Sequence, residues 1–340
     1  MRITFVRHAE SQSNLDGRWQ GQSNSPLSRG GQKQARALAL RFAGRPFDVV
    51  IASDLDRTRE TARAFERPLE LDPDWREIDV GAWEGLTHGE VQRRYPEEVA
   101  ELASGRFDVR IGGGESWEDV RARVRAAFAK LRARLGERDH ALVVTHGGML
   151  STLAADLLGV FGVHPRPLGR LSNTALFEVE ILGDAVRVLA YNDASHLAPY
   201  GNVVAERLDN KSAVLALLSS PNSGAAHAGA SHEGAPETAA FRAFHPEARV
   251  FRDAATLASD AALREAVEAH RGEIFAVAES PEAVANRTAQ LVGFPSDAPA
   301  HLAAPDAGAY AHIIVSSARN SLAEYNLRAH LQAPAGRSAR

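Results

Sequence analysis

The sequence predicts an α/β fold: a three-layer sandwich with a mostly parallel sheet covered by helices on both faces, followed by a smaller C-terminal α/β segment. Three observations predict it. Short β-rich apolar runs alternate with helical patterns through the first two hundred residues, as chains built from strand-helix-strand units do. The chain of 340 residues is 44% hydrophobic, enough to bury a large core, and its length suggests about two domains. Between 219 and 240 the composition turns to Ser, Gly, Ala, Pro and His with almost no large apolar residue, which reads as a linker. The expected organisation is a first domain over 1–208, a linker over 209–240 and an accessory α/β domain over 241–335.

Taken in order, strands are expected at 3–6, 48–52, 141–145, 175–181 and 185–191, and helices at 28–43, 55–65, 117–135 and 148–158. The third helix has the clearest signal. Ser116 with Asp119 makes a capping-box-like start, and Val120, Val124, Phe128, Leu131 and Leu135 recur on one face, which is core. Beyond the linker, the pattern gives a helix at 256–270, a strand at 274–278, a helix at 283–292 and a hairpin-like end from 311–316 and 322–325. A shift of 134 carries Tyr191-Asn192 onto Tyr325-Asn326, His196-Leu197 onto His330-Leu331 and Gly159 onto Gly293. A degenerate internal half-repeat and two unrelated α/β pieces are both compatible with that alignment.

The net charge of −4 leaves no excess of Lys and Arg to neutralise phosphates in bulk, so neither nucleic acid nor an acidic membrane is an expected partner. The start, Met1-Arg2-Ile3-Thr4, lacks the apolar run of a secretory signal, and no run approaches the ~18 apolar residues of a membrane span. A cytoplasmic location is expected. The absence of cysteine excludes disulfides, thiolate metal sites and a Cys nucleophile, and leaves Ser, His and carboxylates to do chemistry. His227 and His232, scattered through the linker, read as solvated rather than ligating, and no metal or cofactor is expected.

Four segments concentrate groups with chemical potential. Arg7-His8 follows directly on the first apolar strand, and strand ends are where open α/β sheets hold ligands. Arg57 stands in the first turn of a helix that follows the strand ending at Ala52, where unpaired N–H groups and a positive dipole favour an oxyanion. Glu77, Asp79 and Glu84 lie in a loop shaped by Trp75, Trp83, Gly81 and Gly85, surroundings that raise a carboxyl pKa toward that of a proton donor. Glu77 is the candidate acid, although spacing alone does not choose among the three. Thr145-His146-Gly147-Gly148 again runs from a strand into a helix, placing a second His at the same sheet edge as His8.

These residues resemble the histidine phosphatase superfamily in its phosphoglycerate-mutase-like branch. Arg7-His8-Ala9-Glu10-Ser11 with Asn14, then Arg57, then Glu77 before Gly81-Ala82-Trp83-Glu84-Gly85, then Thr145-His146-Gly147-Gly148 stand in the family's order and approximate spacing over about 1–208. Gln20 falls where phosphatase members carry a phosphate-contacting Gln. The resemblance implies that His8 attacks phosphorus and carries a transient phosphohistidine. It implies that Arg7, Arg57, His146 and Asn14 hold the phosphoryl oxygens with help from Gly147, and that Glu77 protonates the leaving oxygen. Two Arg and an imidazolium would then supply the charge without a metal. His8 must be unprotonated at its attacking nitrogen, so a carbonyl or carboxylate should fix the proton on the other one.

Short segments after Glu77 and at Gly112-Gly113-Gly114 resemble the broad-specificity and α-ribazole phosphatases more than the glycolytic mutases. A phosphatase of small phosphorylated metabolites is therefore expected, with a cofactor-dependent phosphoglycerate mutase and a non-catalytic phospho-ligand-binding protein as alternatives. The substrate pocket is expected over 87–115, drawing on Tyr95, Phe107, Arg93, Arg94, Arg106 and Arg110. The second half is expected to be non-catalytic, because the shift of 134 puts Ser280 opposite His146. A homodimer is admissible as the assembly.

Overall fold

A computed structural model of the chain describes residues 1–200, 212–219, 249–251, 274–295, 302–305, 309–316 and 320–327, with the single residues 262, 265 and 269. It divides into two compact units: 1–166 with 170–188, and 167–169 with 189–340. The expected helix at 256–270 lies almost wholly outside the described residues.

In the first unit the strands are β1 (Arg2–Arg7), β2 (Val49–Ala52), β3 (Glu70–Leu71), β4 (His140–Thr145), β5 (Leu176–Leu182) and the start of β6 (Ala185–Asp193), in the order β3-β2-β4-β1-β5-β6. β3, β2, β4 and β1 run parallel, and β5 is antiparallel to β1. The apolar runs Ile3-Thr4-Phe5-Val6 and Ala141-Leu142-Val143-Val144 are buried along their whole length, which a strand covered on both faces requires. Val6, Leu142, Val144, Val50 and Ala52 pack against Leu38 and Phe42 at the end of α2 (Arg29–Arg41) and Ala62 of α3 (Asp56–Arg63). On the opposite face Phe5 meets Phe177, Trp75 and Phe128 of α6 (Trp117–Arg134), with ring centroids 5.6 Å apart for Phe5 and Trp75. Each fully buried Phe or Leu contributes about 1.5–3 kcal/mol, so these two layers dominate the stability of the unit.

The helix ends follow their residues. Ser116 accepts from the Asp119 N–H at 3.1 Å while the Asp119 carboxylate accepts from Ser116 N–H at 3.0 Å, the reciprocal cap that starts α6. Two short helices, α4 (His88–Arg94) and α5 (Pro96–Ala103), fill the stretch after Glu77, and α4 carries a second capping box from Thr87 and Glu90. The register Arg7↔Thr145 brings the C-terminal ends of β1 and β4 side by side, and His8 N–H donates to Thr145 O at 2.8 Å just beyond. The strand ends thereby place His8 and His146 together, as open parallel sheets place their sites.

In the second unit β7 (Ser212–Ser219), β8 (Arg249–Phe251) and β9 (Ile274–Glu279) run parallel in the order β8-β9-β7. β10 (Tyr310–Ser316) is antiparallel to β7 and to β11 (Asn320–Leu327), and the helix after β9 is Pro281–Val292. β7 occupies positions expected as linker. Its Val214-Leu215-Ala216-Leu217-Leu218 run is apolar enough to enter a sheet, and the Ser-rich stretch that signals a linker begins only after it.

Candidate active site

All residues of the site belong to the first unit. A cavity of about 340 Å³ is lined by Arg7, His8, Asn14, Gln20, Arg57, Glu77 and Gly147 among others. His8 and His146 face each other with ring centroids 5.2 Å apart. The His8 Nδ1–H donates to Ala9 O at 2.7 Å, which leaves the lone pair on Nε2. A carbonyl thus fixes the tautomer, as the nucleophile role requires. Burial first, then the charges of Arg57 and Arg7, holds the His8 pKa well below 6.5 against the opposing bond to Ala9.

Arg57 is buried, with relative exposure of 1%. Its Nε donates to His146 Nδ1 at 3.2 Å, while its terminal nitrogens donate to Ser23 O at 2.9 Å and Gly21 O at 2.8 Å. Burial lowers its pKa to about 10, opposed by the carboxylates of Glu77 and Glu84, so it stays charged at neutral pH. Because Nδ1 of His146 accepts from Arg57, His146 is the neutral Nε2–H tautomer, and burial with the Arg57 charge holds its pKa well below 6.5. The imidazolium implied by the resemblance is therefore absent from this arrangement: His146 offers a neutral N–H donor, and the cationic charge comes from Arg7 and Arg57. The buried Nε2 has no partner among the described residues, which suits a donor reserved for a ligand oxygen.

Arg7 is anchored through a bond from its guanidinium to Leu171 O at 2.7 Å. Asn14 accepts at Oδ1 from Ser11 N–H at 3.3 Å and Asn173 Nδ2 at 3.2 Å, leaving its NH₂ as the end available to a ligand. Gln20 accepts from Ser11 Oγ at 2.8 Å, and its buried Nε2 has no partner among the described residues. Gly147 opens α7 (Gly147–Leu157) with His146 as its N-cap, so the free N–H groups of this helix end at the same place.

Of the three loop carboxylates only Glu77 lines the cavity. Its Oε1 accepts from Ile78 N–H at 2.9 Å and its Oε2 from Gly148 N–H at 3.1 Å. A Cβ on Gly148 would stand 2.3 Å from Oε1, so this approach requires glycine. Glu84 instead braces the chain by accepting from Gln22 and Ser23 N–H at 2.6 and 3.0 Å, and Asp79 accepts from Gly81 N–H at 2.9 Å.

The rest of the lining differs from expectation. None of Tyr95, Phe107, Arg93, Arg94, Arg106 and Arg110 lines it; His88 is the contribution of 87–115. Arg106 is taken by Glu101 and Asp108, and Arg110 pairs with Asp119 at 3.3 Å. Arg18, Trp19, Trp117, Arg166 and Arg170 line the cavity instead. Arg166 lies over Trp117 at 4.2 Å and Phe107 at 5.0 Å. The signal for Arg166 and Arg170 is the Pro- and Gly-containing loop His164-Pro165-Arg166-Pro167-Leu168-Gly169-Arg170, a shaped connection between helix and strand of the kind that carries function.

Residues 3–194 match the histidine phosphatase superfamily (branch 1). The chain belongs to that family. Over 192 residues it is 38% identical to the "Probable phosphoglycerate mutase GpmB" of Enterobacter sp. (strain 638), covering 53% of this chain and 85% of the relative. Among solved histidine phosphatases it is similar to a mycobacterial glucosyl-3-phosphoglycerate phosphatase determined with VO3, at 29% identity and a TM-score of 0.51, covering 55% of this chain and 96% of the other. It is also similar to the α-ribazole phosphatase of Shigella flexneri, at 26% identity and a TM-score of 0.52, covering 57% and 97%. Family membership and these phosphatase neighbours support a phosphatase enzyme.

Proposed function

We propose that the protein is a metal-independent phosphomonoesterase that acts on small phosphorylated metabolites through a phosphohistidine at His8 Nε2. The observation that carries this reading is the bond from His8 Nδ1–H to Ala9 O, which leaves Nε2 unprotonated in a cavity lined by the buried Arg57 and the part-buried Arg7. In the first step Nε2 attacks phosphorus while the bond to the leaving oxygen breaks, and Glu77 gives that oxygen its proton. Glu77, now a carboxylate, then takes a proton from the water that attacks phosphorus, and the electron pair of the breaking P–N bond returns to Nε2. Arg7, Arg57, the His146 Nε2–H, Asn14, Gln20 and Gly147 N–H hold the equatorial oxygens as charge spreads over them.

The Enterobacter relative supports a second reading, a cofactor-dependent phosphoglycerate mutase. A panel of phosphomonoesters assayed with and without 2,3-bisphosphoglycerate separates the two: the phosphatase releases phosphate from several substrates, whereas the mutase yields the isomer only when the cofactor is present. His8→Ala in the same panel should leave the fold intact and reduce turnover below about a thousandth of wild type. Residual activity above that level removes His8 from the nucleophile's role.

A further inference from the structure

The element boundaries of the second unit repeat those of the first at one constant shift. Moving β4 by 134 residues gives 274–279, the bounds of β9; moving β5 gives 310–316, the bounds of β10. The start of α7 moves onto the start of the helix Pro281–Val292, here α8, and the end of β6 onto the end of β11. Strand order and sense repeat as well. β1 lies between a parallel β4 and an antiparallel β5, and β7 lies between a parallel β9 and an antiparallel β10. β2 is the parallel neighbour of β4 on its other side, as β8 is of β9. Element boundaries and pairing senses thus repeat independently of the few residue identities that share the same shift.

The catalytic positions do not survive this shift. Ser280 stands at the position of His146 and accepts from Ala283 N–H as the N-cap of α8. Pro281 and Glu282 replace Gly147 and Gly148, so that helix end lacks one N–H donor and carries a negative charge where the first unit receives an anion. The ladders β1–β4 and β7–β9 put Ser219 at the position of Arg7. Residues 53–139, which carry Arg57 and Glu77 between β2 and β4, have only 252–273 as their counterpart.

One feature of the repeat is kept with care. Within the second unit Tyr191 pairs with Tyr325 across antiparallel strands, and these are the same position of the two copies. The Tyr191 hydroxyl donates to Gly169 O at 2.5 Å and the Tyr325 hydroxyl to Ala303 O at 2.7 Å, again residues 134 apart. Both rings are fully buried. Equivalent residues meeting in this way make a self-complementary contact of the kind a symmetric dimer uses.

We propose that residues 212–327 are a second, degenerate copy of the histidine phosphatase fold that has lost the phosphate site and that, within the second unit, its β11 takes the partner role on the Tyr191 stretch of β6, an edge that a second copy of the chain would otherwise cover. Its lack of a site rests on the phosphatase reading of the first unit; its partner role rests on the Tyr191–Tyr325 contact alone. Two measurements on the full chain test it. Titration with orthovanadate should give one site per chain, and two sites overturn the loss of the second. Absence of any vanadate site counts against the phosphatase reading and leaves the partner role to the second measurement. That measurement is oxidation of Tyr191→Cys/Tyr325→Cys, which places the only two thiols in this cysteine-free sequence. The expected product is a monomer with an internal disulfide; a disulfide-linked dimer, or two thiols that stay free, overturns it. Where the double variant does not fold, light scattering on the unmodified chain decides: a monomer at micromolar concentration is expected, and a stable dimer overturns the partner role.

Discussion

His8 and His146 are kept neutral by different means, and that difference sets how the protein responds to acid. Burial excludes water from both, while Ala9 O fixes one ring and Arg57 the other. Their folded pKa values lie below 6.5, so as pH falls through 6.5 the unfolded chain takes up protons that the folded chain refuses. Stability from these sites is fully present above 6.5 and declines below it, by up to about 1.4 kcal/mol per pH unit for each histidine. His8→Asn removes one share, so its unfolding free energy should fall less steeply than wild type between pH 6.5 and about 5, measured by urea unfolding. Equal slopes would show that His8 titrates normally. For Glu77 the decisive comparison is between substrates. Glu77→Gln should reduce turnover of alkyl phosphates by about 10²-fold or more and of p-nitrophenyl phosphate far less, because nitrophenolate leaves without a proton. Gly148→Ala forces a Cβ against Oε1 and should reproduce that selective loss at roughly tenfold. Losses equal for both substrates would assign Glu77 to binding rather than proton transfer.

Helix α6 ties the core to the loop that carries Glu77. Its apolar stripe, Val120, Val124, Phe128 and Leu131, is buried against the sheet, while Arg123 reaches back to the acid loop. Arg123 donates to Arg76 O at 2.7 Å, Glu77 O at 3.2 Å and Asp74 O at 3.1 Å, and pairs with Glu115 at 2.8 Å. One side chain thereby fixes three carbonyls of the loop, in a fork that Lys cannot reproduce. Arg123→Lys and Arg123→Ala should both lower the ratio of alkyl to p-nitrophenyl turnover by about tenfold, with kcat falling more than KM rises; an unchanged ratio would leave Arg123 a purely structural brace. This element also marks how far the sequence could be read. The stripe and the Ser116–Asp119 cap were visible because helical period and capping chemistry are local, and Arg7-His8 and His146-Gly147 were visible because strand ends converge. The rest of the cavity lining was not. Arg166 is brought there by stacking on Trp117 and Phe107, contacts between residues 49 and 59 positions apart that no local pattern records. The charged side chains expected in their place were absorbed by near neighbours: Arg106 by Glu101 and Asp108, Arg110 by Asp119.

At the scale of the molecule, the arrangement separates chemistry from edge protection. Every residue that lines the cavity lies in the first unit, whereas the strand that receives β11 passes into the second at Leu189. A sheet edge with unpaired N–H and C=O groups invites another strand, and buried tyrosines on it make the invitation specific. A chain ending at Leu208 keeps every residue that lines the cavity and loses β11, so the two roles can be pulled apart. Its expected behaviour has two components. Phosphate release should persist within about tenfold of the full chain, since none of the groups around His8 is removed. The shortened chain should also self-associate, with a concentration-dependent dimer in light scattering, because the Tyr191 edge then finds its equivalent on a second chain rather than on β11. Tyr191→Lys in that shortened chain should return it to monomer by setting like charges on the edge. An active chain that remains monomeric would show that the edge needs no partner, and an insoluble one would show that residues 1–208 do not fold without the rest of the chain.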